Sequence, residues 1–136
     1  MGALPLVKTG AGTLALTAAN IYSGGTRINA GTVAISNNAA FGTASVAIAS
    51  NCTVTALASL SVANACVLSN GVANPFDVGA GRTLTLSGTL SGPGSLTKAN
   101  TGTLTLSGIN TYSVNTAVNA GALVGVTGGS LSLIHI

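Results

Sequence analysis

Leu96–Gly121 reads LTKANTGTLTLSGINTYSVNTAVNAG, and Leu6–Gly31 reads LVKTGAGTLALTAANIYSGGTRINAG. The two align without a gap, Leu6 falling on Leu96 at an offset of 90 residues. Lys8 matches Lys98, Gly12-Thr13-Leu14 matches Gly102-Thr103-Leu104, and Leu16 matches Leu106. Asn20 and Tyr22-Ser23 match Asn110 and Tyr112-Ser113, and Asn29-Ala30-Gly31 matches Asn119-Ala120-Gly121. Self-similarity at a fixed offset marks a repeat architecture, in which each unit buries its apolar face only by stacking on its neighbours.

Between and within the copies, short runs alternate apolar with small polar residues. Thr13–Leu16, Thr32–Ile35, Ser45–Ile48, Thr53–Leu57, Leu60–Ala63 and Thr83–Leu86 read this way, and Cys66–Leu68 is a further short apolar run. Period-two alternation predicts strands with one face buried. Gly and Asn punctuate them every five to ten residues, and Asn tolerates left-handed backbone better than other residues with a Cβ. No stretch has helical spacing with caps. The same Thr-Leu-Thr-Leu phrase returns far apart, which suits a parallel coil whose turns all meet one environment better than an antiparallel sandwich. At roughly 20 residues per turn, near the short end of solenoid periods, the chain makes about six turns. Leu104 and Leu106 are expected inside and Thr103 and Thr105 outside.

Composition agrees. Hydrophobic residues are 47% of the 136, charged residues only 4%, and aromatics 3% with no Trp. A soluble domain ordinarily has about a quarter of its residues charged. Here Thr, Ser, Asn and Gly must cover the surface, and uncharged side chains do not repel their likes one rung away, about 4.8 Å distant. The net charge of +3 comes from Lys8, Arg27, Arg82 and Lys98 against Asp77. These are scattered, without aromatic interleaving, so a nucleic-acid surface is not expected. No uninterrupted apolar run is long enough to cross a membrane, and no secretory signal is visible at the start.

The phrase LTKxxxGTLTLSGxNTYS…VNAG resembles the autotransporter-associated β-strand repeat of bacterial passenger domains. Ile35–Gly42 (ISNNAAFG) is similar to the segment that follows such a repeat, and Arg82–Gly94 (RTLTLSGTLSGPG) to the lead-in of the next. The resemblance covers nearly everything from Leu6 to about Gly125, with repeat copies at 6–34 and 96–124. It implies a right-handed parallel β-helix, secreted and displayed at the bacterial cell surface, forming or carrying an adhesin. It also implies a carboxyl-terminal outer-membrane translocator barrel in a longer chain, of which this stretch is an interior piece, and a host or cell-surface ligand. The second copy departs from the pattern at Val114-Asn115, where Gly24-Gly25 stands in the first. The tail, Leu131–Ile136 (LSLIHI), reads as the translation of a common sequencing adapter and is expected to be non-biological, His135 included.

Chemistry is sparse. General acid–base catalysis needs paired titratable groups, and Asp77 is the one carboxylate side chain. It follows Pro75-Phe76, precedes Gly79-Ala80-Gly81, and reads as a turn residue. No Ser lies in a GxSxG elbow, and Gly10-Ala11-Gly12 lacks the Lys-Ser/Thr ending of a phosphate loop. Cys52 and Cys66 fit neighbouring turns, either as two buried apolar side chains, which we expect, or as a disulfide. Tyr22 and Tyr112 are expected to pack over turns and bond the backbone through the hydroxyl; a carbohydrate-stacking row is the alternative. Asn20, Asn29, Asn110 and Asn119 are expected to hold turns through side-chain bonds to the main chain. No catalytic, cofactor-binding or metal-ligating residue is assigned, and no cofactor is expected. The leading reading is a structural stalk segment of an autotransporter passenger. The alternatives are a glycan- or ice-binding solenoid using the rows Thr83-x-Thr85 and Thr103-x-Thr105, and a non-catalytic portion of a β-helix polysaccharide-active enzyme. An isolated stretch of coil has open strand edges, so aggregation or poor stability is expected.

Overall fold

A strand of Thr-Leu-Thr-Leu directs both leucines to one side, and one such strand cannot shield them from water. The chain solves this by winding. In the computed structural model, which describes residues 4–49, 51–69, 73–113, 115–125 and 134–135, every strand pairs in parallel with the strand one winding away. No helix forms among the described residues.

The first winding holds β1 (Leu6–Lys8) and β2 (Thr13–Leu16), then a loop over 17–25. The second holds β3 (Thr26–Ile28) and β4 (Thr32–Ile35), then the turns of 36–45. From the third winding all three sides carry strands: β5 (Val46–Ile48), β6 (Thr53–Ala56) and β7 (Leu60–Val62). Next come β8 (Cys66–Leu68), β9 (Ala73–Val78) and β10 (Thr83–Leu86), then β11 (Leu90–Ser91), β12 (Ser95–Ala99) and β13 (Thr103–Leu106). A loop over 107–115 leads to β14 (Thr116–Val118), β15 (Ala122–Gly125) and β16 (Ile134–His135). Leu131–Leu133 and Ile136 of the tail lie outside the described residues, as does part of the turn at Ser69-Asn70-Gly71.

Three parallel sheets result. The first face is β1-β3-β5-β8-β11, the third is β7-β10-β13-β15, and the second runs through seven strands, β2-β4-β6-β9-β12-β14-β16. One winding takes between 18 residues (Thr116 to Ile134) and 24 (Cys66 to Leu90). Seven stacked strands span six intervals of about 4.8 Å, a rod on the order of 30 Å long.

Registry makes the interior continuous. On the third face Leu60, Leu84, Leu104 and Leu123 stack in one column. On the second, Leu14, Val33, Val54 and Phe76 do so. Ile28, Val33, Val54, Phe76, Leu84, Leu104 and Leu106 are all within 2% of complete burial, and each such side chain contributes about 1.5–3 kcal/mol. Both phenylalanines, Phe41 and Phe76, are inside. The expected alternation holds at Leu104 and Leu106 (buried) against Thr103 and Thr105 (half-exposed). Matched leucines need not be equally buried, however. Leu14 and Leu16 are half-exposed, because β2 is the outermost strand of its sheet.

One expectation changes. Asp77 is not in a turn: it lies inside β9, paired with Thr55 and Ala99. Alternation places Phe76 and Val78 inward, with Asp77 half-buried on the opposite side of the strand, and the turn begins only at Gly79. Nor do the two repeat copies occupy equivalent faces. β1 and β3 lie on the first face, whereas their counterparts β12 and β14 lie on the second. The partners of Leu6 up the first face are Thr26, Val46, Cys66 and Leu90, so the 84 residues from Leu6 to Leu90 make four windings. The remaining six residues carry the chain around one corner to Leu96. The second copy is therefore rotated by one face relative to the first.

Candidate functional site

The residues shared by the two copies converge on the corner between the repeat's first two strands. Lys98 occupies an inward position of β12, stacked on Phe76 below and Val118 above, and is fully buried. Its ammonium has three N–H donors and three main-chain acceptors: Ala99 O at 2.6 Å, Asn100 O at 2.6 Å and Ala120 O at 3.4 Å. Lys8 does the same with Thr9 O at 2.8 Å, Gly10 O at 2.6 Å and Ala30 O at 3.2 Å. In each case two carbonyls belong to the turn after the lysine and one to the corner a winding later. Burial holds the Lys98 pKa below the ordinary lysine value, with the Asp77 carboxylate opposing that shift.

Backbone geometry makes the cradle. Gly10 and Asn100, at matched positions, have φ of +75° and +65°, which turns their carbonyls toward the ammonium. Gly31 and Gly121, which close the corner from the next winding, have φ of +77° and +73°. A Cβ at Gly31 would lie 2.7 Å from Lys8 Nζ and 2.5 Å from Gly12 O, and one at Gly121 would lie 2.7 Å from Asn100 O. Only glycine combines that φ with so close an approach. The pattern Lys, Gly-Thr-Leu, Asn-Ala-Gly is thus one structure read along the chain.

The loop side follows the same logic. Asn20 donates from Nδ2 to Ala40 O at 2.7 Å, and Asn110 Oδ1 accepts from Leu90 N–H at 3.3 Å, so each asparagine stitches its loop to the adjacent winding. Asn64 makes similar bonds to Gly42 O and Ala44 O. Asn29 and Asn119 are exposed, and it is their main-chain N–H groups that bond, to Lys8 O and Lys98 O at 2.9 Å. The expectation of side-chain bonds therefore describes Asn20 and Asn110, while these two act through the backbone. Tyr112 is buried, with its hydroxyl on that of the buried Thr116; Tyr22 pairs with Thr26 Oγ1 at 2.8 Å. The partners are threonine hydroxyls as well as the backbone carbonyl of Ala40, 3.4 Å from the Tyr22 hydroxyl. The Tyr112 ring joins the core, whereas the Tyr22 ring is half-buried. They also lie on different sides of the coil: loop 17–25 stacks on Ala39 and loop 107–115 on Leu90. A shared carbohydrate-stacking row is excluded. Burial raises the Tyr112 pKa, against the hydrogen bond from Thr116, which lowers it.

Where the copies differ at Gly24-Gly25 and Val114-Asn115, Val114 lies outside the described residues. One main-chain bond is shared: Leu6 N–H bonds Gly25 O at 2.9 Å and Leu96 N–H bonds Asn115 O at 3.1 Å. Both cysteines are buried and no disulfide joins them; the Cys52 thiol donates to Ile28 O and the Cys66 thiol to Asn64 O. Burial pushes the Cys66 thiol up to about 12. It also raises that of Cys52, where the charge of Lys8 opposes the shift. The Thr rows face outward in register, Thr83 on Thr103 and Thr85 on Thr105, bounded by Ser61 on one side and by Ala122 and Val124 on the other. Asp77 Oδ1 is buried with no hydrogen-bond partner. Among the described residues no group of three His, Cys, Asp or Glu side chains gathers to hold a metal ion.

In the sequence alone the lysines look like scattered charge. Their recurrence at one offset, in an otherwise almost uncharged chain, was the signal that they belong to the repeat itself.

The described residues thus form a three-sided parallel β-solenoid with a lysine-filled corner in each repeat copy. Two stretches of the chain, residues 6–35 and 96–124, match the model of the passenger-associated-transport-repeat. Over 136 aligned positions it is 42% identical to the adhesin BmaC autotransporter of Brucella suis biovar 1 (strain 1330). That match covers 97% of this chain and 4% of the relative, so the chain spans only a small part of that protein's length. No solved structure matches the chain.

Proposed function

We propose that these windings form a stiff stalk segment of an autotransporter passenger, displayed at the bacterial surface in an adhesin-like protein, and that the segment performs no catalysis. The observation that carries this reading is the continuous dry interior. Columns of Leu, Val, Ile and Phe in register leave the coil filled from β4 to β13, and the polar corners are taken up by intramolecular bonds. The longer protein is proposed to carry an outer-membrane translocator barrel and to meet a host or cell-surface ligand elsewhere along its length. No role in nucleic-acid binding or membrane insertion is assigned to this segment.

The test is an in-frame deletion of whole windings from the full-length displayed protein. The stalk reading expects the surface projection to shorten by about 4.8 Å per winding removed, with ligand binding by each displayed molecule retained. Loss of binding with display intact would assign recognition to this segment. The glycan- or ice-binding alternative rests on the outward threonine array of β10 and β13, which is two windings deep. Thermal hysteresis or glycan retention abolished by Thr85→Leu and Thr105→Leu would favour it.

A further inference from the structure

The ammonium of Lys98 is removed from water and held by main-chain carbonyls alone. None of its three hydrogen-bond acceptors is a side chain. The cage is made by the path of the backbone through the left-handed Asn100 and the following corner. The same cage recurs around Lys8, on a different face and with Gly10 in place of Asn100. Two independent constructions from one sequence pattern indicate that the pattern specifies the cage and not merely a filled space. Three convergent carbonyls match three N–H donors, which distinguishes a primary ammonium from a cation without donors.

The distribution of the carbonyls matters as well. Two are supplied by the lysine's own winding and one by the next, from Ala30 or Ala120. An unfilled cage would leave these oxygens facing one another with no donor between them. Filling it ties β3–β4 to β1–β2 in the first repeat and β14–β15 to β12–β13 in the second.

We propose that each repeat corner is a primary-ammonium binding site, that the lysine side chain is its tethered occupant, and that occupancy locks the repeat's second winding onto its first. The lysines are positioning residues in this scheme. A free alkylammonium ion is a ligand for the site once the tether is cut.

The experiment uses the whole chain with Lys98→Ala. Amide exchange of residues 116–125 is expected to accelerate roughly tenfold to a hundredfold, the factor for losing charge-assisted hydrogen bonds. Exchange of residues 46–56 should stay within about twofold if the unlocking is local. n-Propylammonium chloride, which replaces the missing stem and head, should restore slow exchange. Tetramethylammonium chloride and potassium chloride at equal concentration should not. Equal rescue by all three salts would reduce the effect to ionic strength and overturn the proposal. So would Lys98→Met with wild-type exchange, since methionine keeps the stem but has no donors. If Lys98→Ala does not fold, Lys8→Ala on the outermost winding gives the same comparison at residues 26–35, with the same outcomes deciding.

Discussion

Gly12 and Gly102 occupy matched positions in the two repeats, and alanine at each should shift stability in opposite directions. At Gly102 an added methyl would lie 2.6 Å from Val78 O and 2.8 Å from Arg82 O, and closer still to Gly79 O. All three are backbone atoms of the preceding winding and cannot rotate away. Relief requires the windings to part where Gly102 N–H bonds Val78 O at 2.8 Å and Thr103 N–H bonds Arg82 O at 2.9 Å. Overpacking costs about 1–3 kcal/mol, and weakening two main-chain bonds adds about 1 kcal/mol each. Against this, alanine lowers the entropy of the unfolded chain by the equivalent of about 0.4–1 kcal/mol. The net expectation is destabilisation by about 2–4 kcal/mol. At Gly12 an added methyl meets nothing within 4 Å, and no left-handed φ forbids it. Only the unfolded-state term remains, a stabilisation of about 0.4–1 kcal/mol. Urea denaturation followed by far-ultraviolet circular dichroism measures both variants on one scale. Effects of the same sign, agreeing within about 0.5 kcal/mol, would show that the windings are not packed at the 102 corner as described.

Other outcomes are equally specific. Leu104→Ala should cost about 2–5 kcal/mol, because its column neighbours Leu84 and Leu123 cannot close the gap, whereas Thr105→Ala should stay within about 0.5 kcal/mol; comparing the two denaturation midpoints checks this. Raising pH should destabilise the fold through Cys66. Its thiol titrates at about 12 when folded against 9.0 for the free group, so the unfolded chain loses its proton first. Its contribution is whole below pH 9.0 and falls by about 1.4 kcal/mol per pH unit up to about 12. Cys66→Ala should remove one proton's worth of that slope in an alkaline denaturation series. Native protein should resist thiol-labelling reagents at both Cys52 and Cys66 and take up two labels only on unfolding, as read by intact mass. Tyr112→Phe should cost about 1–3 kcal/mol by stranding the buried Thr116 hydroxyl, and more than Tyr22→Phe, whose partner Thr26 also lies 3.4 Å from Phe41 O; paired thermal melts read the difference.

Much of this architecture was legible because its causes are local. Alternation in Thr13–Leu16, Thr32–Ile35 and Thr83–Leu86 places strands at those residues, and the structure has them there. The inward column and the parallel stacking follow, since a narrow coil of short alternating strands has one way to hide its leucines. The function of the lysines was not legible in the same way. A lysine in a strand pattern reads as solvated charge, and nothing local says that three carbonyls, one of them 22 residues away, will enclose it. Asp77 misled for the opposite reason: the glycines beside it advertise a turn, but pairing with Thr55 and Ala99 extends β9 through it.

By itself, then, the sequence determined the repeat, its strands, its parallel stacking and its almost uncharged surface. These depend on side-chain alternation and on residue types whose backbone preferences act over a few positions. Which face each copy occupies was decided only in three dimensions. A face is set by how many residues every intervening winding consumes, and the lengthening from 20 residues to 24 between Cys66 and Leu90 has no counterpart in the repeat phrase itself. Closure of the corners over buried ammonium groups was likewise a tertiary outcome, because the carbonyls that satisfy them come together only when one winding has come to rest on another.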